Sequence, residues 1–199
     1  MTIKRILSIF LTLCILLSVT SILSVSTVAA ESPAISTNVA LGATSDRVLT
    51  CDSTYASHPG YRAFDGINDD ANKWAADGAT NGTAWLIIDL GKTYDITKVR
   101  PYIFEGSTGK RVYYYNVYVA EDGDFEGTFT EANKATVFEG IKTNGTLAAA
   151  VTSTTTDVGG VTSNINLSGR YVLLQFVGSN ESNTISLYEF EIFSGKEDI

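Results

Sequence analysis

The chain has 199 residues, with 14 Lys and Arg against 22 Asp and Glu, one His and two Cys, and a formal net charge of −8. An acidic surface of this kind repels nucleic acid and anionic lipid but accepts neutral glycans or bound cations. A single His, no Gly-x-Ser-x-Gly and no His/Cys metal spacing leave no visible nucleophile-and-base pair, and nothing nominates a paired-carboxylate cleft, so no catalytic activity is expected.

Residues 1–30 read as a secretory signal peptide. Lys4 and Arg5 make a short basic start, Ile6 to Leu23 is largely apolar, and Val28-Ala29-Ala30 offers small residues before Glu31. The apolar run is long enough for a membrane anchor to be considered, but the small-residue site favours cleavage after Ala30. Cys14 follows Leu13 in mid-run, which argues against a lipid attachment site. Cleavage takes the formal charge from −8 to −10 and leaves Cys51 with no intrachain partner. Cys51 is expected to be a small buried residue near a strand end. The expected setting is extracellular, in a bacterium.

Residues 31–37 form a short polar entry, 38–194 a single domain, and 195–199 a tail. Within the domain, short Val/Ile/Tyr/Phe/Leu runs alternate with Gly, Asn, Asp, Ser and Thr clusters. Strands are predicted over 84–90, 96–104, 111–120, 169–177 and 185–193. In Val112-Tyr-Tyr-Tyr-Asn-Val-Tyr-Val119, bulky residues fill both parities, so both faces of that strand are expected to be covered. Residues 152–164 read as loop with one edge strand. No helical period of eleven residues or more with caps is visible. The pattern is that of an all-β sandwich or barrel.

The order of motifs resembles the discoidin or factor V/VIII type C domain, also counted as carbohydrate-binding module family 32, in the galactose-binding-like superfamily. Asn38-Val-Ala-Leu-Gly-Ala43 is similar to the family's opening strand. Ala63-Phe-Asp-Gly66 with Trp74 is similar to its Ala-x-Asp-Gly…Trp loop, and Trp85-Leu-Ile-Ile-Asp-Leu-Gly91 to its Trp-x-x-x-Asp-Leu-Gly strand. Tyr115-Asn-Val-Tyr-Val119 with Glu121-Asp-Gly123 resembles the central strand and turn. Gly169-Arg-Tyr-Val172 and Leu187-Tyr-Glu-Phe-Glu191 resemble the last two strands. The resemblance implies an antiparallel jelly-roll β-sandwich that binds through loops at one end, and says more about fold than about ligand.

Asp65 is expected to follow a strand end, and Asp65, Asn68, Asp69, Asp70 and Asn72 concentrate oxygen donors in one loop, which suits a hard cation. The resemblance implies a structural Ca²⁺ held by carbonyls near Ala63, the Asp65 side chain, Asn68 or a neighbour, Asn72, and Glu189 on the last strand. The loop is two residues longer than the usual pattern, and Asn72 stands where Thr is common.

Sugar recognition needs an aromatic face and a few placed polar groups. Galactose-binding relatives use a His just after the loop Trp, then an Arg and an Asn in a later loop. Here those positions fall at Ala75, near Ile103, and near Ser107 or Thr108, so that set is absent. The remaining loop-end candidates for glycan contact are Tyr55, His58 and Tyr61, then Asp77 and Asn81, then Phe104, Glu105 and Lys110. Trp74 and Trp85 are expected in the core. Phosphatidylserine-binding members carry a terminal cysteine pair that this chain lacks. The expectation is a secreted lectin-like module for a glycan or glycoprotein. A protein–protein adhesion module that keeps the fold without the sugar site is the competing reading.

Overall fold

A computed structural model describes residues 36–104, 111–152, 161–180 and 182–195. In chain order these form β1 (Thr37–Asn38), β2 (Val48–Thr50), β3 (Trp74–Asp77), β4 (Ala84–Ile103), β5 (Tyr113–Ala120), α1 (Lys134–Asn144), β6 (Thr146–Val151), β7 (Ser163–Ser179) and β8 (Thr184–Ser194). Every strand pairing is antiparallel. The neighbours run β1-β8-β4-β7-β5-β6, with β2 beside β4 and β3 beside β8. This is the antiparallel sandwich that the motifs imply.

The strand β4 serves both layers. Its first half pairs with β2 and with Tyr171–Phe176 of β7. Its second half pairs with Ser163–Gly169 of β7 on one side and, from Ile96, with β8 on the other. The register slips between Asp89 and Tyr94, where Gly91 takes φ +85°, a conformation that L side chains rarely adopt. Asp89 fixes this corner. Its Oδ1 accepts from the Gly91 amide at 2.7 Å, and its two oxygens receive Arg170 Nε and Nη2, each at 2.8 Å. Arg170 also reaches Asp122 at 2.9 Å, and Arg47 Nε donates to the Asp89 carbonyl at 2.7 Å. The Asp-Leu-Gly motif is therefore the polar lock of a strand corner.

Between the layers, Phe176 is the meeting point of three other rings. Trp74, Tyr113 and Tyr115 lie 6.2, 5.6 and 5.9 Å from it, centroid to centroid. All four side chains are fully buried. Both tryptophans are core residues, as expected, and so is Cys51, which follows β2.

Three expectations need correction. First, Lys134–Asn144 is a helix of eleven residues. Its apolar stripe is only Val137, Phe138 and Ile141, its N-cap Asn133 makes no side-chain cap bond, and it contains a glycine. Sequence periodicity is too weak to signal it, so packing must hold it. Phe138 stacks on Trp85 at 4.7 Å, and a Cβ on Gly140 would stand 2.5 Å from Phe125 Cβ. The helix contacts β5, β6 and β7, which is why β5 is at least half-buried at both parities. Second, the opening strand stops at Asn38, whose side-chain oxygen accepts from Ala40 and Ile192 amides and turns the chain. Third, Asp65 closes a 3₁₀ segment, Gly60–Phe64, and not a strand.

Replacing Phe138 with Ala should cost about 3 kcal/mol in urea unfolding, as for other buried aromatics, and should red-shift tryptophan emission. An unchanged midpoint would contradict the packing role given to α1. Arg170→Gln leaves Asp89 without its partner and should cost about 2 kcal/mol in the same assay. A loss below about 0.5 kcal/mol, the ordinary surface-substitution range, would remove the corner lock.

Candidate functional site

Pro59 precedes the 3₁₀ segment, which buries Ala63 and Phe64, and Phe64 packs on Phe190 of β8 at 6.2 Å. That anchor brings the turn at Asp65–Gly66–Ile67 onto β8. Glu189 Oε1 accepts from the amides of Gly66 and Ile67, the latter at 3.1 Å. Asp65 Oδ1 also accepts from Ile67 N, at 2.9 Å. Glu189 is 3 % exposed, and its second oxygen, Oε2, is buried without a partner. Burial first, and then the adjacent Asp65 carboxyl, push the Glu189 pKa up to about 8, with the two amides partly offsetting this. A proton or a cation between two acids this close relieves their repulsion. The orphaned oxygen and the paired carboxyls fit a hard cation.

The rest of the acidic loop divides its oxygens. Asp69 Oδ1 accepts from the backbone of Ala71 and Asn72, each at 2.9 Å, and from Asn72 Nδ2 at 3.0 Å. Asp69 thus shapes the loop itself. Asp70 turns to Lys73 at 3.2 Å and accepts from Tyr188 Oη at 3.1 Å, and Lys73 in particular holds its carboxyl below the usual range. Asn72 is half-buried and Asn68 exposed. Arg62 ties the loop down by donating to Ser57 O and Ala71 O at 2.8 and 2.5 Å. Among the described residues, no group of three or more His, Cys, Asp or Glu converges. A cation here would rest on two carboxylates plus carbonyl and amide oxygens.

Of the glycan candidates, Tyr55, His58, Asp77 and Phe104 border β3 and the start of β8. Ala75 is 3 % exposed and pairs with Ser186, whose carbonyl accepts from Phe104 N at 2.9 Å. Tyr55 and Asp77 are brought together, with Tyr55 Oη on Asp77 Oδ2 at 2.8 Å and Thr184 Oγ1 on Asp77 Oδ1 at 2.5 Å. Tyr61 is exposed on the 3₁₀ segment. His58 is half-buried, with Nδ1 buried and unpartnered. Asn81 is occupied by its own turn, accepting from Thr83 Oγ1 at 2.7 Å. Glu105 and Lys110 lie outside the described residues.

Phe104 gathers residues that sequence reasoning missed. Tyr188 packs edge-on against it at 5.9 Å, Lys73 Nζ sits 4.4 Å from its centroid, and Arg111 Cζ 5.7 Å. Arg111 Nη1 donates to Tyr113 Oη at 3.2 Å and Thr184 O at 3.4 Å. Thr184 thereby links the Phe104 group to the Tyr55–Asp77 pair. The available signal was two cations bordering acidic and Gly/Ser-rich loops. Their meeting on one ring depends on the β4–β5 and β3–β8 geometry and was not readable.

A sequence model of the F5/8 type C domain matches residues 48–190. No curated protein is matched by sequence. Among solved structures, the chain is similar to chitosan-binding module 2, in complex with chitotriose, derived from a chitosanase/glucanase of Paenibacillus sp. IK-5. That match has 24 % identity and a TM-score of 0.56, covering 78 % of this chain and 98 % of the other. It is similar to the lectin domain of lectinolysin complexed with Lewis B antigen, with 21 % identity, a TM-score of 0.55 and coverage of 79 % and 96 %. It is also similar to the CBM32 of AlyQ in complex with 4,5-unsaturated mannuronic acid, with 14 % identity, a TM-score of 0.50 and coverage of 73 % and 98 %. The family match spans the strand corner, the Asp65 turn and Glu189, and by it the chain belongs to the F5/8 type C domain family.

Proposed function

We propose that this protein is a secreted, non-catalytic glycan-binding module that reads sugars at the loop end of the sandwich. The observation that carries this reading is the group of Phe104 and Tyr188 with Lys73 and Arg111, joined through Thr184 to Tyr55 and Asp77. It sets part-exposed aromatic surface beside oriented donors and acceptors on a rigid scaffold. The similar structures are in keeping with it, since they are binding modules in complex with chitotriose, Lewis B antigen and an unsaturated mannuronic acid. Recognition on such a surface is shallow, so affinity per site is modest and gains from multivalency. Export would use residues 1–30, and the exported protein is expected to begin at Glu31.

A glycan array with the full chain tests the reading. Binding to a defined glycan set, lost on Phe104→Ala, is the expected result. Silence across host and plant glycans would sink it. One observation favours protein recognition instead. Ala75 replaces the family's sugar-reading His, while Leu41 and Ile67 expose apolar surface near the Asp65 turn. A partner retained after deglycosylation would favour that second reading.

The cation is part of the same proposal. Asp65 and Glu189 would hold a Ca²⁺, with carbonyl oxygen near Ala63 and the amide oxygens of Asn68 and Asn72 completing an oxygen set. Its role is to neutralise two adjacent acids and fix the loop on which Lys73 and Trp74 follow. Saturating Ca²⁺ should stabilise the fold by about 2–3 kcal/mol over chelator, seen as a rise in Tm. An unchanged Tm, with no calcium by elemental analysis, would remove the site.

Glu189→Gln should behave in a distinctive way. Its carbonyl can still accept from Gly66 and Ile67, and its NH₂ can donate to Asp65. In chelator at pH 8 the variant should be more stable than the wild type by about 1 kcal/mol and should not respond to Ca²⁺. A variant that melts lower in chelator would contradict the charge conflict assigned to this pair.

A further inference from the structure

We infer that the loop-end site prefers a glycan carrying a carboxylate or sulfate group, with Arg111 as the principal anion contact and Lys73 as the second. This rests on the glycan-binding reading above and adds the charge class of the ligand, which the fold leaves open.

The first observation is one of contrast. On a chain of net charge −8, this end places a guanidinium and an ammonium against the same ring, Phe104. The second concerns how those charges are balanced. Lys73 has a carboxylate, Asp70, at 3.2 Å. Arg111 has no ion pair among the described residues. Its acceptors there are two neutral oxygens, Tyr113 Oη and Thr184 O, and its Nε is buried with no partner. Among the described acids, Asp70 is committed to Lys73 and Tyr188, and Asp77 to Tyr55 and Thr184.

A half-buried guanidinium served only by neutral oxygens retains an uncompensated charge, which disfavours the empty site. Guanidinium is also the group best matched to a planar or tetrahedral oxyanion, and such charge-assisted bonds are roughly twice as strong as neutral ones. The ring face and edge of Phe104 and Tyr188 supply apolar surface for the C–H groups of a pyranose. An acidic sugar seated there would place its anion between the two cations. A neutral sugar would leave Arg111 as it stands.

The test is calorimetry on the full-length protein with paired probes, an oligogalacturonate and its carboxyl-reduced counterpart, and a sulfated oligosaccharide and its desulfated form. At least one anionic probe should bind about tenfold or more tightly than its neutral partner, with affinity falling as salt rises. Which pair shows the preference separates carboxylate from sulfate. Arg111→Gln should abolish the preference, and Arg111→Lys should recover part of it. Lys73→Gln should reduce it and serves as an independent arm in case Arg111→Gln fails to fold. Equal binding of anionic and neutral partners, unaffected by these variants, overturns the inference and leaves the glycan-binding reading standing. No binding of any probe or of any arrayed glycan overturns both.

Discussion

The structure depends on one corner. The long strand β4 slips its register against β7 between Asp89 and Tyr94, and the Asp89–Arg170 pair holds that corner. The consequence is topological. The strand β4 stands beside β7 as far as Val99 and beside β8 from Ile96 on, so β3, the end of β4 and the starts of β5 and β8 meet at one end. The ring cluster around Phe176 then sets the separation of the layers near that end, because Trp74 and Tyr113 both pack on it. Trp74 directly follows Lys73, and Tyr113 lies two residues after Arg111. Two cations are thus positioned by two buried rings that share one partner.

The Asp65 turn shows the opposite economy. The 3₁₀ segment is anchored by Phe64 on Phe190, and two backbone amides point at Glu189, yet Asp65 and Glu189 are left facing one another. Glu189 is buried and Asp65 half-buried, and an ion between them would relieve that conflict. The same turn begins the loop that carries Lys73, so cation binding and ligand binding are expected to be linked through loop order, with no shared ligand atom.

The fold was largely legible because its cues are local. The Trp85-to-Gly91 strand, the glycine turn and the bulky run of β5 need only local pattern and turn chemistry. Helix α1 was not legible. Its stripe of Val137, Phe138 and Ile141 is short, it is interrupted by Gly140, and it forms because Trp85 and Phe125 offer surfaces to cover. The site was legible in part. Asp65 and Glu189 are far apart in sequence and were joined only through the family resemblance, and the structure does bring them together. Tyr55, Asp77 and Phe104 were nominated from loop position. Lys73, Arg111, Tyr188 and Thr184 were not, since nothing in the chain shows that a residue before a loop tryptophan and one at a strand start will flank a common ring.

The central claim is that glycans bind at the Phe104 end. Amide chemical-shift mapping during titration with an arrayed hit is its most direct measurement. The account predicts perturbations confined to residues 55–61, 73–77, 104, 111–113 and 184–188, with β6 and α1 silent. Shifts centred on α1 or the β5–β6 face, or none at saturating glycan, would contradict it.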